Sequence, residues 1–174
     1  MCYCGYTSKK EDEWRDFAMP EPVRVFDVAA YIVERFEGAS PKLTAMKLQK
    51  LLYYCQAWSL VWDEAPLFSE EIQAWANGPV IKDLYEWHRG MFYIESVPGG
   101  DPGALSQDQK DTIDQVLAAY GDKTAQWLSD LTHLEGPWKD SRKGLDAGER
   151  GSHIIELSVL HEYYGSLDAD TKSL

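Results

Sequence analysis

The sequence is poor in cysteine, and its few cysteines form no recognisable site. Its 174 residues include three, Cys2, Cys4 and Cys55. An odd count this low excludes a disulfide framework. Cys2 and Cys4 form a C-x-C pair, but no second pair of ligands at suitable spacing follows, and a structural metal site needs both pairs. Cys55 lies within an apolar helical pattern, which is typical of a small buried side chain. We therefore expect no disulfide-stabilised fold and no bound metal.

Long apolar runs are also missing. A membrane-spanning helix needs about 18 or more consecutive apolar residues, and no stretch of the sequence reaches that length. The first residues, MCYCGYTSKKEDEWRDF, contain no apolar run after their lysines, so they lack the pattern of a signal peptide. Together with the low cysteine content, these absences predict a cytoplasmic protein.

Positive charge is scarce relative to negative charge. There are 17 lysines and arginines and 29 acidic residues, which gives a formal net charge of −12. A chain this acidic is repelled by the phosphate backbone of nucleic acids and by anionic lipids, so we expect neither as a direct partner. The charge instead favours a basic protein, whose approach it would steer.

Motifs for catalysis are absent from the sequence. There is no phosphate-binding G-x-x-x-x-G-K-[ST] or G-x-G-x-x-G, no metal-binding H-E-x-x-H and no nucleophile elbow G-x-S-x-G. His133 and Glu135 match the H-x-E half of a zinc deaminase signature, but the P-C-x-x-C half is missing. We therefore predict a protein that is not an enzyme and needs no cofactor. One alternative stays open: a hydrolase site in which His133, Glu135 and Tyr85 meet in one pocket with a shifted histidine pKa.

The spacing of apolar residues predicts a mainly α fold. Residues 1–22 are polar and end in two prolines, which indicates an N-terminal extension. The body, residues 23–174, is predicted to form a compact single-domain helical bundle of five or six helices. The strongest periodicity runs from Ala45 to Trp62 behind a capping Thr44, and it predicts a largely buried central helix. Ser106 and Gln109 are spaced as a capping box for a later helix.

Alternating residues predict a small two-stranded β element within this helical body. Apolar and polar residues alternate from Ile72 to Ala76, and a second short strand is predicted over residues 91–97. Asn77-Gly78-Pro79 is predicted to form a turn that leads directly into a helix over residues 80–88. The last helix is predicted over residues 154–164.

Aromatic residues are abundant, with seven tryptophans and ten tyrosines. Most of them must lie in the core, and those that remain exposed would be binding hot spots. We predict that five residues in aromatic-rich segments contact a partner: Trp75, Tyr85, His133, Glu135 and Trp138.

Several separate blocks of the sequence resemble the Panacea domain, also known as the SocA-like antitoxin domain or the phage-associated GepA-like family. The first blocks are Met46-Lys-Leu-Gln-Lys-Leu-Leu-Tyr-Tyr-Cys-Gln-Ala-Trp58, Pro66-Leu-Phe, Glu71-Ile-Gln-Ala-Trp75 and Gly78-Pro-Val80. Later blocks include Tyr120-Gly121, Leu131-Thr-His-x-Glu135 with Pro137-Trp138, Arg150-Gly151 and Tyr163-Tyr164. The blocks occur in order and cover about residues 25–165.

The resemblance implies an antitoxin of a toxin–antitoxin pair, which neutralises its toxin by direct protein–protein contact. It implies a mainly helical fold, no enzymatic activity and no cofactor. With the charge of the chain, it leads us to expect a basic cognate protein toxin as the partner. The resemblance also implies an alternative, a proteolytic adapter that delivers a partner to a AAA+ protease. Direct DNA binding is not indicated, because no helix-turn-helix with a basic recognition helix is visible.

Overall fold

A computed structural model describes residues 22–172, which form seven α-helices and one two-stranded antiparallel sheet. The elements in chain order are α1 (Val25–Arg35), α2 (Ala45–Trp62), β1 (Ile72–Trp75), β2 (Gly78–Ile81), α3 (Lys82–His88), α4 (Gln107–Tyr120), α5 (Ala125–Leu134), α6 (Gly136–Ser141) and α7 (Leu157–Lys172). The predicted mainly α fold with a small β element is confirmed. The helices number seven because the chain starts the separate short helix α6 directly after α5. Except for residue 22, the predicted extension lies outside the described residues, as do Cys2 and Cys4.

Helix α2 lies at the centre of the core. Its N-terminus is capped by Thr44, whose Oγ1 accepts a hydrogen bond from the backbone N–H of Lys47 at 3.1 Å. Most of its 18 residues are buried, and it packs against α1, α4, α5, α7 and β2. Cys55 is fully buried in this helix, and burial raises the pKa of its thiol. The prediction of a largely buried central helix is therefore confirmed.

The strand β1 is confirmed, but its partner is not the segment that the sequence predicts. β1 pairs with β2, so that Ile72 lies opposite Ile81 and Trp75 opposite Gly78. Residues 91–97 instead run beside the segment before α2, where Tyr93 forms an isolated bridge with Thr44. The prediction of a second strand over residues 91–97 is therefore wrong.

Two features explain why β2 forms where a turn and a helix start are predicted. Gly78 has a φ of +103°, a conformation that side chains rarely allow, and it lets the chain reverse tightly after β1. The side chain of Gln49 in α2 then bonds the backbone of Ile81, accepting from its N–H at 2.8 Å and donating to its carbonyl at 3.2 Å. The strand is thus completed by a helix 32 residues away in sequence, and α3 begins only at Lys82.

The last helix also begins later than predicted, because the residues before it extend the sheet. The carbonyl of His153 accepts a hydrogen bond from the backbone N–H of Ala74 at 2.9 Å, and the N–H of Ile155 donates to the carbonyl of Ile72 at 2.8 Å. These bonds hold residues 153–155 extended along β1, so α7 starts at Leu157.

The hydrogen bonds predicted between Ser106 and Gln109 at the start of α4 are confirmed. Ser106 Oγ accepts from the N–H of Gln109 at 3.2 Å, and Gln109 Oε1 accepts from the N–H of Ser106 at 2.9 Å. This reciprocal pair is the predicted capping box.

Within residues 22–172, none of the helices has the length and apolar content needed to cross a bilayer.

Candidate partner-binding site

A cavity of about 670 Å³ opens between the start of α2, the β1–β2 hairpin, α3 and the residues that follow α3. We call it the aromatic cavity. The largest apolar side chains that line it are Met46, Trp75, Tyr85, Met91 and Phe92. Phe92 is 69% exposed and Met91 is 47% exposed, which are high values for side chains of this size. Large apolar side chains left in water around a concave surface mark a binding site.

Trp75 and Tyr85 form the aromatic centre of this cavity. Their rings contact edge to face, with centroids 4.7 Å apart and an interplanar angle of 67°. The indole N–H of Trp75 donates to Gln73 Oε1 at 2.9 Å, which orients the ring. The guanidinium of Arg150 lies over the ring of Trp75 at 5.0 Å from its centroid. Both rings are half-buried, so the structure brings together two of the five predicted contact residues on one accessible surface.

The inner end of the aromatic cavity is polar and buried. Gln49 and His88 are hydrogen-bonded to each other at 2.9 Å, between Nε2 of each side chain. Lys50, which is 1% exposed, donates from Nζ to the carbonyl of Pro79 at 2.9 Å. Burial lowers the pKa of Lys50 to about 7. No carboxylate within residues 22–172 forms an ion pair with this lysine, so its charge is not neutralised by the part of the chain that the structure describes.

His133 and Trp138 do not line the aromatic cavity but hold the hairpin that forms it. Their rings stack with centroids 4.1 Å apart, and Trp138 Nε1 donates to the carbonyl of Trp75 at 2.8 Å. The guanidinium of Arg142 lies over Trp138 and donates to the carbonyl of Ala74 at 2.9 Å. His133 Nε2 is buried and has no hydrogen-bond partner within the described part of the chain. Burial and the nearby positive charge of Lys50 lower the pKa of this histidine.

Glu135 lies in a buried cluster of tyrosines and does not line the aromatic cavity. Its Oε2 accepts from the hydroxyl of Tyr164 at 2.7 Å and from that of Tyr54 at 3.1 Å, and Tyr164 also donates to the hydroxyl of Tyr53 at 3.2 Å. Burial raises the pKa of Glu135 to about 7, although the two hydroxyl donors oppose that shift. The side chain is 6% exposed and ties α7 to α2, so in this conformation it supports the fold.

The hydrolase alternative requires three side chains to meet, and the structure keeps them apart. Tyr85 lines the aromatic cavity, whereas His133 and Glu135 do not. His133 stacks on Trp138, and the carboxylate of Glu135 is occupied by two tyrosine hydroxyls. The pKa of His133 is shifted, but the convergence on which the alternative depends is missing, and we set it aside.

The residues at the inner end of the aromatic cavity have no sequence signal of their own. Gln49 and Lys50 lie between Leu48 and Leu51 but outside the apolar stripe of α2, where polar residues are ordinary. Phe92 likewise lacks a signal, since a single aromatic residue in a loop has no distinguishing pattern.

The fold is a mainly helical one in which a hairpin is held against the central helix and borders the aromatic cavity. Residues 48–139, from α2 to α6, match the family described as antitoxin SocA-like, Panacea domain. The match covers just over half of the chain, and the chain therefore belongs to the SocA-like antitoxin family. The resemblance noted in the sequence is confirmed, and this is not a known enzyme family. Neither the curated proteins nor the solved structures gave a significant match.

Proposed function

We propose that this chain is the antitoxin of a toxin–antitoxin pair, and that it neutralises a basic protein toxin in the cytoplasm by binding it directly. Membership of the SocA-like antitoxin family supports an antitoxin-type role. The observation that supports direct binding is the set of exposed apolar side chains around the aromatic cavity. The exposed side chains are Met46, Met91 and Phe92, and the half-buried Trp75 and Tyr85 line the same cavity.

The chemistry of these residues suits a protein interface. Aromatic and methionine side chains at the centre of a contact surface supply most of the binding free energy, and a polar rim excludes water. A stable complex buries on the order of 1,200–2,000 Å² in total, so the interface would extend beyond the cavity. The net charge of −12 would speed association with a basic toxin.

The mechanism that we propose is occlusion. The hairpin and α3 are held by buried contacts to α2, so the surface is formed before the toxin arrives and little ordering is needed on binding. Of the five predicted contact residues, Trp75 and Tyr85 would touch the toxin. His133, Trp138 and Glu135 would act by holding the hairpin and α7 in place.

Co-expression with the product of the adjacent reading frame tests this proposal. We expect the neighbouring protein to be toxic alone, harmless with this chain, and bound to it on size exclusion. Phe92→Glu should abolish rescue, because it places a charge where an apolar contact forms. Leu134→Glu is the matched control, since Leu134 is 74% exposed and does not line the cavity. A neighbour that is harmless alone and forms no complex would refute the proposal for this pair.

The adapter alternative predicts a different requirement. In a reconstituted system with a AAA+ protease, an adapter would make degradation of the toxin depend on this chain. Stoichiometric inhibition of the toxin without any protease would instead support occlusion.

A further inference from the structure

We propose that the aromatic cavity is a carboxylate-binding site, which receives an acidic group carried on an apolar segment of the toxin, with Lys50 supplying the positive charge. This inference rests on the proposed function, since it names the chemistry of the toxin segment that enters the cavity. A toxin that is basic overall would thus insert one essential acidic group into the cavity.

The charge of the cavity lining differs sharply from that of the chain. The sequence has 29 acidic residues, yet none of those within residues 22–172 lines the aromatic cavity. Two basic residues do line it, Lys50 at the inner end and Arg150 beside Trp75. A cavity with two positive groups and no negative group attracts an anion, even though the molecule as a whole repels one.

Lys50 has unused capacity to bind an acceptor. An ammonium has three N–H donors. The structure shows one hydrogen bond from Nζ, to the carbonyl of Pro79, and residues 22–172 offer Lys50 no ion pair. A buried ammonium in this state gains strongly from a carboxylate, because attraction between opposite charges is larger in a desolvated site than in water.

Lys50 Nζ packs closely against Gly78. A Cβ at Gly78 would lie 2.6 Å from Lys50 Nζ, so glycine is what allows the ammonium to occupy this position. His133 Nε2 is buried and has no hydrogen-bond partner among residues 22–172, and the charge of Lys50 contributes to lowering the pKa of that histidine.

The apolar lining of the cavity indicates which kind of group carries the carboxylate. Trp75, Tyr85 and Phe92 offer ring surfaces, and Met46 and Met91 offer adaptable thioether side chains. A volume of about 670 Å³ is sufficient for one or two side chains. The matching ligand is therefore an aromatic or aliphatic group with a carboxylate next to it, such as a phenylalanine followed by an acidic residue or by the chain terminus.

Two small probes that differ only in charge test this site on the unmodified chain. N-acetylphenylalanine carries a carboxylate, and N-acetylphenylalaninamide is its neutral counterpart. We expect the carboxylate to bind at least about tenfold more tightly, as for a charge-assisted hydrogen bond in a desolvated site. Binding is followed by the NMR signals of the tryptophan indole N–H groups. Equal affinity for the two probes, or no binding of either, would overturn the proposal without the need for any variant.

A matched pair of variants assigns the charge to Lys50. In Lys50→Met the preference for the carboxylate should fall to what Arg150 alone supplies, while the weak binding of the amide remains. In Lys82→Met, which removes an exposed lysine of α3, the full preference should persist. Calorimetry at pH 8 in buffers of different ionisation enthalpy should show proton uptake when the carboxylate binds to the unmodified chain. A purely structural lysine would give no such uptake, and a preference that is undiminished in Lys50→Met would contradict the assignment.

Binding experiments with the toxin test this inference separately from the proposed function. If the toxin supplies the carboxylate, N-acetylphenylalanine should weaken the complex, and Lys50→Met should weaken it by about tenfold or more. A complex that is indifferent to both, in a chain that still binds the probe, would show that the cavity takes a free small anion and not a toxin segment. If the unmodified chain does not bind the toxin at all, the proposed function fails, whereas the probe results still decide whether the cavity binds carboxylates.

Discussion

Trp138 in α6 donates a hydrogen bond from its indole Nε1 to the backbone carbonyl of Trp75, at 2.8 Å. The two residues are 63 positions apart in the sequence. Trp75 lines the aromatic cavity and is the last residue of β1, and Trp138 holds that end of the strand. The Pro137-Trp138 block thereby supports the wall of the aromatic cavity without lining the cavity itself.

Replacing Trp138 with phenylalanine should weaken this support. The substitution keeps an aromatic ring for stacking on His133 but removes the donor to the Trp75 carbonyl. We expect a loss of about 1 kcal/mol in the free energy of unfolding, measured with urea. Trp127→Phe is the control, because Trp127 is 44% exposed, and it should change stability by less than about 0.5 kcal/mol. Equal effects of the two substitutions would argue against a structural role for the Trp138 hydrogen bond.

Glu135 should make stability fall as the pH rises from the weakly acidic range to neutrality. Its pKa of about 7 in the folded chain lies above its ordinary value of 4.5, so the folded state keeps a proton that the unfolded state releases. The stabilisation is complete below about pH 4.5 and is lost as the pH approaches 7, with a total on the order of 3 kcal/mol. Urea unfolding of Glu135→Gln between pH 5 and 7 should lack this slope.

The exposed Glu162 provides the comparison for that experiment, since it lies on α7 near the same cluster in sequence. Glu162→Gln should retain the pH dependence of the unmodified chain. If Glu135→Gln kept it as well, the slope would have to come from another group.

Lys50 should have the opposite effect at higher pH. Its pKa of about 7 lies below the ordinary 10.5, so above pH 7 the folded state has released a proton that the unfolded state still binds. Stability contributed by this group therefore rises between pH 7 and 9, by up to roughly 1.4 kcal/mol per pH unit. Lys50→Met should remove the rise, as measured by urea unfolding, and Lys82→Met should not. A rise of the same size in both variants would rule out Lys50 as its source.

Gly78→Ala should be more damaging than the same substitution at another glycine with positive φ. The new Cβ would lie 2.6 Å from Lys50 Nζ and 3.0 Å from Thr132 Oγ1. Gly38 has a φ of +72° and nothing within 4 Å of the corresponding position, so Gly38→Ala measures backbone strain alone, about 1 kcal/mol. We expect Gly78→Ala to cost at least about 1 kcal/mol more, because it adds a steric clash to that strain. Similar melting temperatures for the two variants would contradict this explanation.

The sequence by itself determined the features that depend on neighbouring residues. The stripe of α2, its Thr44 cap, the Ser106–Gln109 capping box and the alternation of β1 follow from helical and strand periodicity and from local hydrogen bonds. The blocks that mark the SocA-like family are likewise a property of the sequence, and they were sufficient to identify it.

Only the tertiary structure decided how those elements are completed. The end of β2 is held by hydrogen bonds between Ile81 and Gln49 of a distant helix, and no local pattern contains that information. Nothing in the sequence distinguishes Glu135 in a chain with 29 acidic residues. It becomes distinctive in the folded structure, because the hydroxyls of Tyr54 and Tyr164 donate hydrogen bonds to its buried carboxylate. Lys50 likewise becomes a buried lysine, with no ion-pair partner among residues 22–172, only when the hairpin packs against it. Burial depends on which segments pack together and not on the residues beside it in sequence.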